Sequence, residues 1–279
     1  MPVVAVIAPG AMGAAVGRRL VEHGVEVRTS LAGRSEASAE RASAAGMRPC
    51  SDAELAEADV VLSIVPPSEA LALAERLAPV LARAAHRPVY ADCNAVSPQT
   101  VARVAAALAG TDARFVDAGI IGAPPKPGMA GPVFYASGPD AAALTLLGEH
   151  GLRVKLLEGG IGAASGLKMS YAGITKGLTA LASAMALTAT RFGAARELRA
   201  ELAESQPQLL AWIDRSVPGM YAKAYRWVVE MEEIAAFAGE DAAARQVYEG
   251  IAQLYARLAR DHQGTKQEIN ALSAFFDQA

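Results

Sequence analysis

Lys168, Tyr171 and Thr175 stand at i, i+3 and i+7 within Gly160-Ile161-Gly162-Ala163-Ala164-Ser165-Gly166-Leu167-Lys168-Met169-Ser170-Tyr171-Ala172-Gly173-Ile174-Thr175-Lys176-Gly177. On a helix that spacing sets an amine, a phenol and a hydroxyl on one face. A partly buried lysine shifts its pKa readily, so Lys168 can give a proton to an oxygen or take one back. Tyr171, one turn on, could donate in its stead. Taken alone, a single helical lysine is more commonly an ordinary solvated side chain, and the assignment needs support from the rest of the chain. Leu167, Ile174, Leu178 and Leu181 recur at helical spacing and are expected to face the core.

A second signal lies at the start. Val3 to Ile7 run into Ala8-Pro9-Gly10-Ala11-Met12-Gly13 and then an amphipathic helix, the strand, turn and helix order that a dinucleotide requires. Pro9, Gly10, Ala11, Met12 and Gly13 would surround its pyrophosphate. Gly10 lets the backbone approach, the helix amides beyond it meet the phosphates, and Gly13 lets helix pack on strand. Ala8 stands where a first glycine is usual, which the turn accepts if its φ is negative. A glycine turn with no ligand is the plainer alternative.

An NAD site would carry an acid about 20 residues further on. Here Val25-Glu26-Val27-Arg28-Thr29 leads into Ser30-Leu31-Ala32-Gly33-Arg34-Ser35. Thr29, Arg34 and Ser35 would meet a 2′-phosphate, which points to NADP(H); alternatively Ser35 caps the next helix and Arg34 is simply solvated. Ser63-Ile64-Val65-Pro66-Pro67 and Ala91-Asp92-Cys93-Asn94-Ala95-Val96-Ser97-Pro98 end two further strands at the edge where open α/β sheets bind ligands. Ile64, Val65 and Pro66 would splay around a nicotinamide, with Asn94 and Val96 beside its ribose or the substrate. Ser97-Pro98 is also a plain helix start.

The elements that must position these groups alternate in the first half. Strands are expected at 3–7, 25–29, 60–65, 89–92, 115–118, 133–137 and 154–157, and helices at 11–23, 35–45, 68–85, 98–109 and 140–149. That alternation means an α/β fold, a doubly wound and mainly parallel sheet with helices on both faces. Beyond Gly162 only helical pattern remains, opened by about thirty residues without proline, a length that usually spans domains or subunits. The division expected is a dinucleotide-binding domain over 1–160 and an all-helical substrate and dimerisation domain over 161–279. On the later helix, Trp227, Met231 and Ile234 form an apolar stripe, and Arg226, Glu230 and Glu233 form a polar one that would pair at the surface.

Composition excludes several classes. The 279 residues are 52% hydrophobic and 20% charged, too rich in buryable surface for a disordered chain. With 26 Lys and Arg against 29 Asp and Glu, and no basic block, a nucleic-acid partner is not expected. The apolar opening lacks the preceding basic residues of a secretory signal, and no later apolar stretch is long enough for a membrane span. Two isolated cysteines, and four histidines without metal-ligand spacing, fit a reducing cytoplasm and give no metal site.

Ala8 to Gly13, the stretch Asp117-Ala118-Gly119-Ile120-Ile121-Gly122 and the Lys168 segment follow the order and spacing of the β-hydroxyacid dehydrogenase superfamily, which the chain resembles over most of its length. That family includes 3-hydroxyisobutyrate and 6-phosphogluconate dehydrogenases. The resemblance implies that Lys168 is the general acid/base, that Ile121, Gly122 and Thr175 lie at substrate positions, and that a homodimer closes the active site. Three departures are visible: Ala172 replaces an asparagine that touches substrate, Thr175 replaces the glutamate of decarboxylating members, and Ile121 replaces a carboxylate-binding serine. Hydride transfer to a small carbonyl, or from the matching alcohol, is therefore expected without decarboxylation. An imine reductase of the same architecture, or a cofactor-binding sensor without turnover, are the alternatives; the C-terminal helices resemble a little-characterised branch.

Overall fold

A computed structural model describes residues 2–276. In chain order the first half comprises β1 (Val3–Ile7), α1 (Ala11–Glu22), β2 (Glu26–Thr29), α2 (Glu36–Ala44), β3 (Arg48–Pro49), α3 (Asp52–Ala56), β4 (Val60–Ser63), α4 (Ala70–Leu81), β5 (Val89–Asp92), α5 (Pro98–Leu108), β6 (Arg114–Ile121), β7 (Val133–Ser137) and β8 (Arg153–Leu156). Then come α6 (Ala163–Arg191), α7 (Ala195–Ser205), α8 (Pro207–Ser216), α9 (Ala224–Phe237), α10 (Ala242–Gln263) and α11 (Gln267–Phe276). The chain divides into two compact units, Met1–Met169 and Ser170–Ala279.

The first unit holds one eight-stranded sheet in the order β3-β2-β1-β4-β5-β6-β7-β8, parallel except where β7 runs against β6. Strand order reverses between β1 and β4, and the carboxyl ends there open the crevice where such sheets take ligands. Both faces are covered, and the period-two alternation of each strand divides its residues between them. Val4, Val6, Val60 and Leu62 pack with Val16 and Leu20 on one side; Ala5, Ile7, Val61 and Tyr90 pack with Leu73, Leu77, Val101 and Val104 on the other.

Two short elements escaped the sequence pattern, β3 and α3. Five residues are too few for helical periodicity to register, although Ser51 and Glu54 form a reciprocal capping box at the start of α3. The helix expected at 140–149 is a 3-10 helix over Ala141–Gly148 instead. Its buried residues, Ala141, Leu144 and Leu147, recur every third position, the repeat of that tighter helix.

The start of α6 has no local side-chain cap. It is held from 45 residues away by Asp117, a fully buried carboxylate at the middle of β6. Asp117 Oδ2 accepts hydrogen bonds from the amides of Gly162 (2.8 Å), Ala164 (3.1 Å) and Ser165 (3.1 Å) and from the Ser137 hydroxyl (3.0 Å). Oδ1 accepts from the Ser165 hydroxyl at 2.6 Å. Among the described residues no cation pairs with Asp117; the helix amides supply the compensating positive charge.

In the second unit the buried side of α6 is made mostly of small residues, Ala172, Gly173, Gly177, Thr179, Ala180, Ser183 and Ala186, with Leu187 near its end. Ile174, Leu178 and Leu181, expected in the core, are exposed. The partner helix supplies the bulk: a Cβ on Gly173 would lie 2.7 Å from the Tyr248 hydroxyl of α10, and Tyr255 of the same helix donates to the Lys176 carbonyl. Glu230 does not pair within α9 as expected but with Lys176, whose ammonium also lies 5.0 Å from the Trp227 ring centroid.

Replacing Asp117 with Ala leaves the Gly162 and Ser165 amides and the Ser137 and Ser165 hydroxyls without their acceptor, the Ala164 amide keeping only Ser137 Oγ at 3.0 Å, and should lower stability by about 3–5 kcal/mol. Denaturant unfolding measures this. Ser137→Ala, which removes one of the five donors, should cost about 1 kcal/mol.

Candidate cofactor and catalytic site

The turn after β1 is shaped for a phosphate chain. A Cβ on Gly13 would sit 2.0 Å from the Ala8 carbonyl oxygen, so only glycine lets α1 pack this closely on β1. A Cβ on Gly10 would meet nothing within 4 Å, which leaves open space above the turn. Gly10 stands at the N-cap of α1 without a side-chain cap, and the first helical turn carries no acid. The orphan amides that begin a helix are thus free to face an anion, and Pro9, Ala11 and Met12 line the same turn. Ala8 avoids the left-handed region, which among the described non-glycine residues only Lys266 enters. The residues present fit a dinucleotide.

At the end of β2 the chain turns tightly, with the Arg34 amide donating to the Leu31 carbonyl (3.1 Å) and Gly33 at φ +69°. This aims Arg34 across the carboxyl edge, where it pairs with Glu69 at 3.0 Å. Ser35 occupies the N-cap of α2 without capping it; its hydroxyl lies 3.2 Å from that of Ser38. Arg41 of α2 donates to Ser38 Oγ and to the Pro9 carbonyl, both at 2.9 Å. Thr29 departs from expectation: its fully buried hydroxyl donates to the Val6 carbonyl at 2.8 Å and cannot meet a phosphate.

Beside the crevice, Asn94 locks two strand ends together. Its Oδ1 accepts from the Val65 amide (2.7 Å), its Nδ2 donates to Ser63 Oγ (2.8 Å), and its own amide donates to Asp92 Oδ1 (2.9 Å). Asn94 is 3% exposed, so it positions Ile64, Val65 and Pro66 rather than offering its carboxamide to a ligand. Val96, fully buried in the core, presents no side chain to a ligand either. Burial pushes the Asp92 carboxyl up to about 7, and its Oδ2 has no hydrogen-bond partner.

Lys168 lies where α6 crosses β6. A Cβ on Gly119 would come within 2.9 Å of the Ala164 carbonyl oxygen and 3.2 Å of Lys168 Cβ, so this glycine sets the approach of helix to strand. The Lys168 ammonium donates to the Ile120 carbonyl at 2.7 Å and makes no ion pair among the described residues. Burial lowers its pKa to about 8. Ile121 ends β6 and Gly122 follows directly on it; Gly122 is at φ +126° with Pro132 against it, a conformation that favours glycine. Tyr171 is 49% exposed, while the Thr175 hydroxyl donates to the Tyr171 carbonyl at 2.9 Å. Arg41 and Glu69 were not singled out from sequence, and Asp117 and Gly119 stood there only within the stretch that carries the family resemblance.

Comparison with known proteins agrees with this geometry. A protein from Methanothermus fervidus, described as an uncharacterized 28.5 kDa protein in the 7S RNA 5′ region, is 29% identical over 216 residues, 76% of this chain and 82% of its own. A solved structure of a conserved protein of unknown function, reported as structurally similar to 3-hydroxyacid dehydrogenases, is 29% identical with a TM-score of 0.73, covering 94% of this chain and 98% of that one. The Mycobacterium tuberculosis 3-hydroxyisobutyrate dehydrogenase, solved with L-serine, shares the fold at 20% identity and a TM-score of 0.75, covering 98% and 99%. No helix among the described residues is long and apolar enough to cross a membrane. A domain family of unknown function matches residues 189–258. Residues 3–147, more than half of the chain, match the NAD binding domain of 6-phosphogluconate dehydrogenase, and the protein belongs to that family.

Proposed function

We propose that this protein is an NADP(H)-dependent oxidoreductase acting on a small carbonyl or hydroxy compound, with Lys168 as the general acid/base. The observation that carries the proposal is a lysine without an ion pair, lowered by burial to about 8, at the carboxyl end of the sheet that bears the dinucleotide turn. A nicotinamide dinucleotide, when bound, supplies or accepts the hydride. Lys168 holds the matching proton at Nζ: its ammonium protonates the oxygen of a carbonyl under reduction, and its free amine takes the proton back in oxidation. The Ile120 carbonyl orients Nζ. Ile121 and Gly122 face the substrate, and Ile64, Val65 and Pro66 face the nicotinamide; Tyr171 and Thr175 continue the Lys168 face of α6 at i+3 and i+7. With Thr175 where a carboxylic acid would serve decarboxylation, the reaction ends at hydride transfer.

We also propose a homodimer. Ile174, Leu178, Leu181 and Met185 are all exposed on α6 at spacings of four, three and four, the seam of a helix that packs against a copy of itself. The seam runs along about 17 Å of helix at 1.5 Å per residue. Sedimentation should show a dimer, and Leu181→Glu a monomer.

Lys168→Met should lower turnover by ~10²- to 10⁴-fold while leaving NADPH affinity unchanged. In the native enzyme, carbonyl reduction should fall as pH rises through about 8 and alcohol oxidation should rise there, with the inflection absent from the variant. Stability gives an independent readout. The native pKa lies below the ordinary value of 10.5, so the unfolded chain holds more protons between about 8 and 10.5. Stability relative to Lys168→Met should therefore rise across that window. The same inflection in both proteins would assign the acid/base role elsewhere. Fluorescence titration should show NADPH binding at least tenfold more tightly than NADH, about 1.4 kcal/mol; equal affinities would remove the NADP assignment.

A further inference from the structure

The dinucleotide crevice contains a carboxylate that its position in the sequence conceals. The acid usual at the end of the second strand is absent, yet Glu69, which closes the 3-10 turn after β4, reaches Arg34 at 3.0 Å. Next to Arg34 on the chain Ser35 opens α2, its hydroxyl 3.2 Å from that of Ser38, and Ser38 Oγ accepts from the guanidinium of Arg41, itself braced on the Pro9 carbonyl of the glycine turn. Glu69 meets Arg34, and a second guanidinium and two hydroxyls stand within seven residues of Arg34 on the same segment, so that segment can take more negative charge than Glu69 provides.

We propose that Glu69 is a specificity-determining residue that competes with the cofactor 2′-phosphate for Arg34. The inference rests on the proposed dinucleotide role of this crevice. A phosphate carries up to two negative charges and matches the guanidinium fork better than one carboxylate, so it displaces Glu69. The Glu69 side chain is 45% exposed and returns to water on release at little penalty. When the cofactor lacks the phosphate, Glu69 stays on Arg34 and the guanidinium is not left unpaired. Glu69 thus weakens NADPH binding while leaving NADH binding untouched, and it narrows the discrimination that Arg34 and Arg41 alone would give.

Titrations of the whole protein with NADPH, NADH, 2′,5′-ADP and 5′-AMP test this. Glu69→Gln should tighten NADPH and 2′,5′-ADP by about three- to tenfold and leave NADH and 5′-AMP unchanged. Arg34→Ala should weaken the phosphate-bearing pair by at least tenfold, and adding Glu69→Gln in that background should change nothing. A Glu69→Gln variant that binds NADPH more weakly would overturn the proposal and make Glu69 a positioning residue for Arg34. An unchanged affinity, or the same gain with Arg34 absent, would overturn it too. If the native protein binds neither dinucleotide, the proposed function itself falls; if it binds both and only the Glu69 effect is missing, the function stands and this inference alone fails.

Discussion

A single buried carboxylate fixes where the long helix begins. Asp117 sits inside the sheet with all five of its hydrogen bonds directed at the first turn of α6 and the two serines beside it. A charge stripped of water this completely is tolerable only while those donors remain in place, because no counter-ion stands by to replace them. The geometry is therefore all-or-nothing. Either α6 starts at the strand that carries Asp117, or the strand holds an unsolvated anion.

The rest of the site inherits its precision from that contact. Gly119, two residues along β6 and on the same face as Asp117, admits the helix backbone to within van der Waals contact, and Lys168 arrives one turn later with its amine against the next carbonyl of the strand. Lys168 is thus tied at both ends: its helix is anchored by Asp117 and its tip by Ile120. Asn94 plays a comparable part at the other side of the crevice, where its carboxamide bridges β4 and β5 and leaves both strand ends with a fixed spacing. Rigid strands with their functional groups at one edge are what a hydride transfer needs, since the reacting atoms must be held close and aligned.

Much of this architecture was legible before any coordinates, for reasons of period and punctuation. Strands with β-branched runs, the glycine turn and the Ser97-Pro98 helix start all announce themselves within a few neighbouring residues. What stayed hidden depends on residues far apart. The cap of α6 comes from 45 positions upstream, and Glu69 meets Arg34 across 35 positions, so no local window contains either relation. Thr29 and Val96 were placed at the ligand because their strand positions are right; which way a side chain points at a strand end is decided by its pleat and by hydrogen bonds to other strands, as with Thr29 and Val6. The face of α6 was misjudged for a different reason. Hydropathy assumes that the larger apolar residues turn inward, whereas between Ala172 and Ala186 this helix buries only small residues, with Tyr248 of α10 against Gly173.

That inversion of size on α6 changes how freely its sequence can drift. On most helices the apolar stripe tolerates exchange among leucine, isoleucine and methionine but not truncation. Here Gly173 has nothing left to truncate, and a methyl group added there would push against the hydroxyl of Tyr248 on α10. Among related chains the silent, slowly varying positions of this helix should be its smallest residues. Their variation is bounded by the volume of a neighbour, and a scale that ranks residues by greasiness would overlook them.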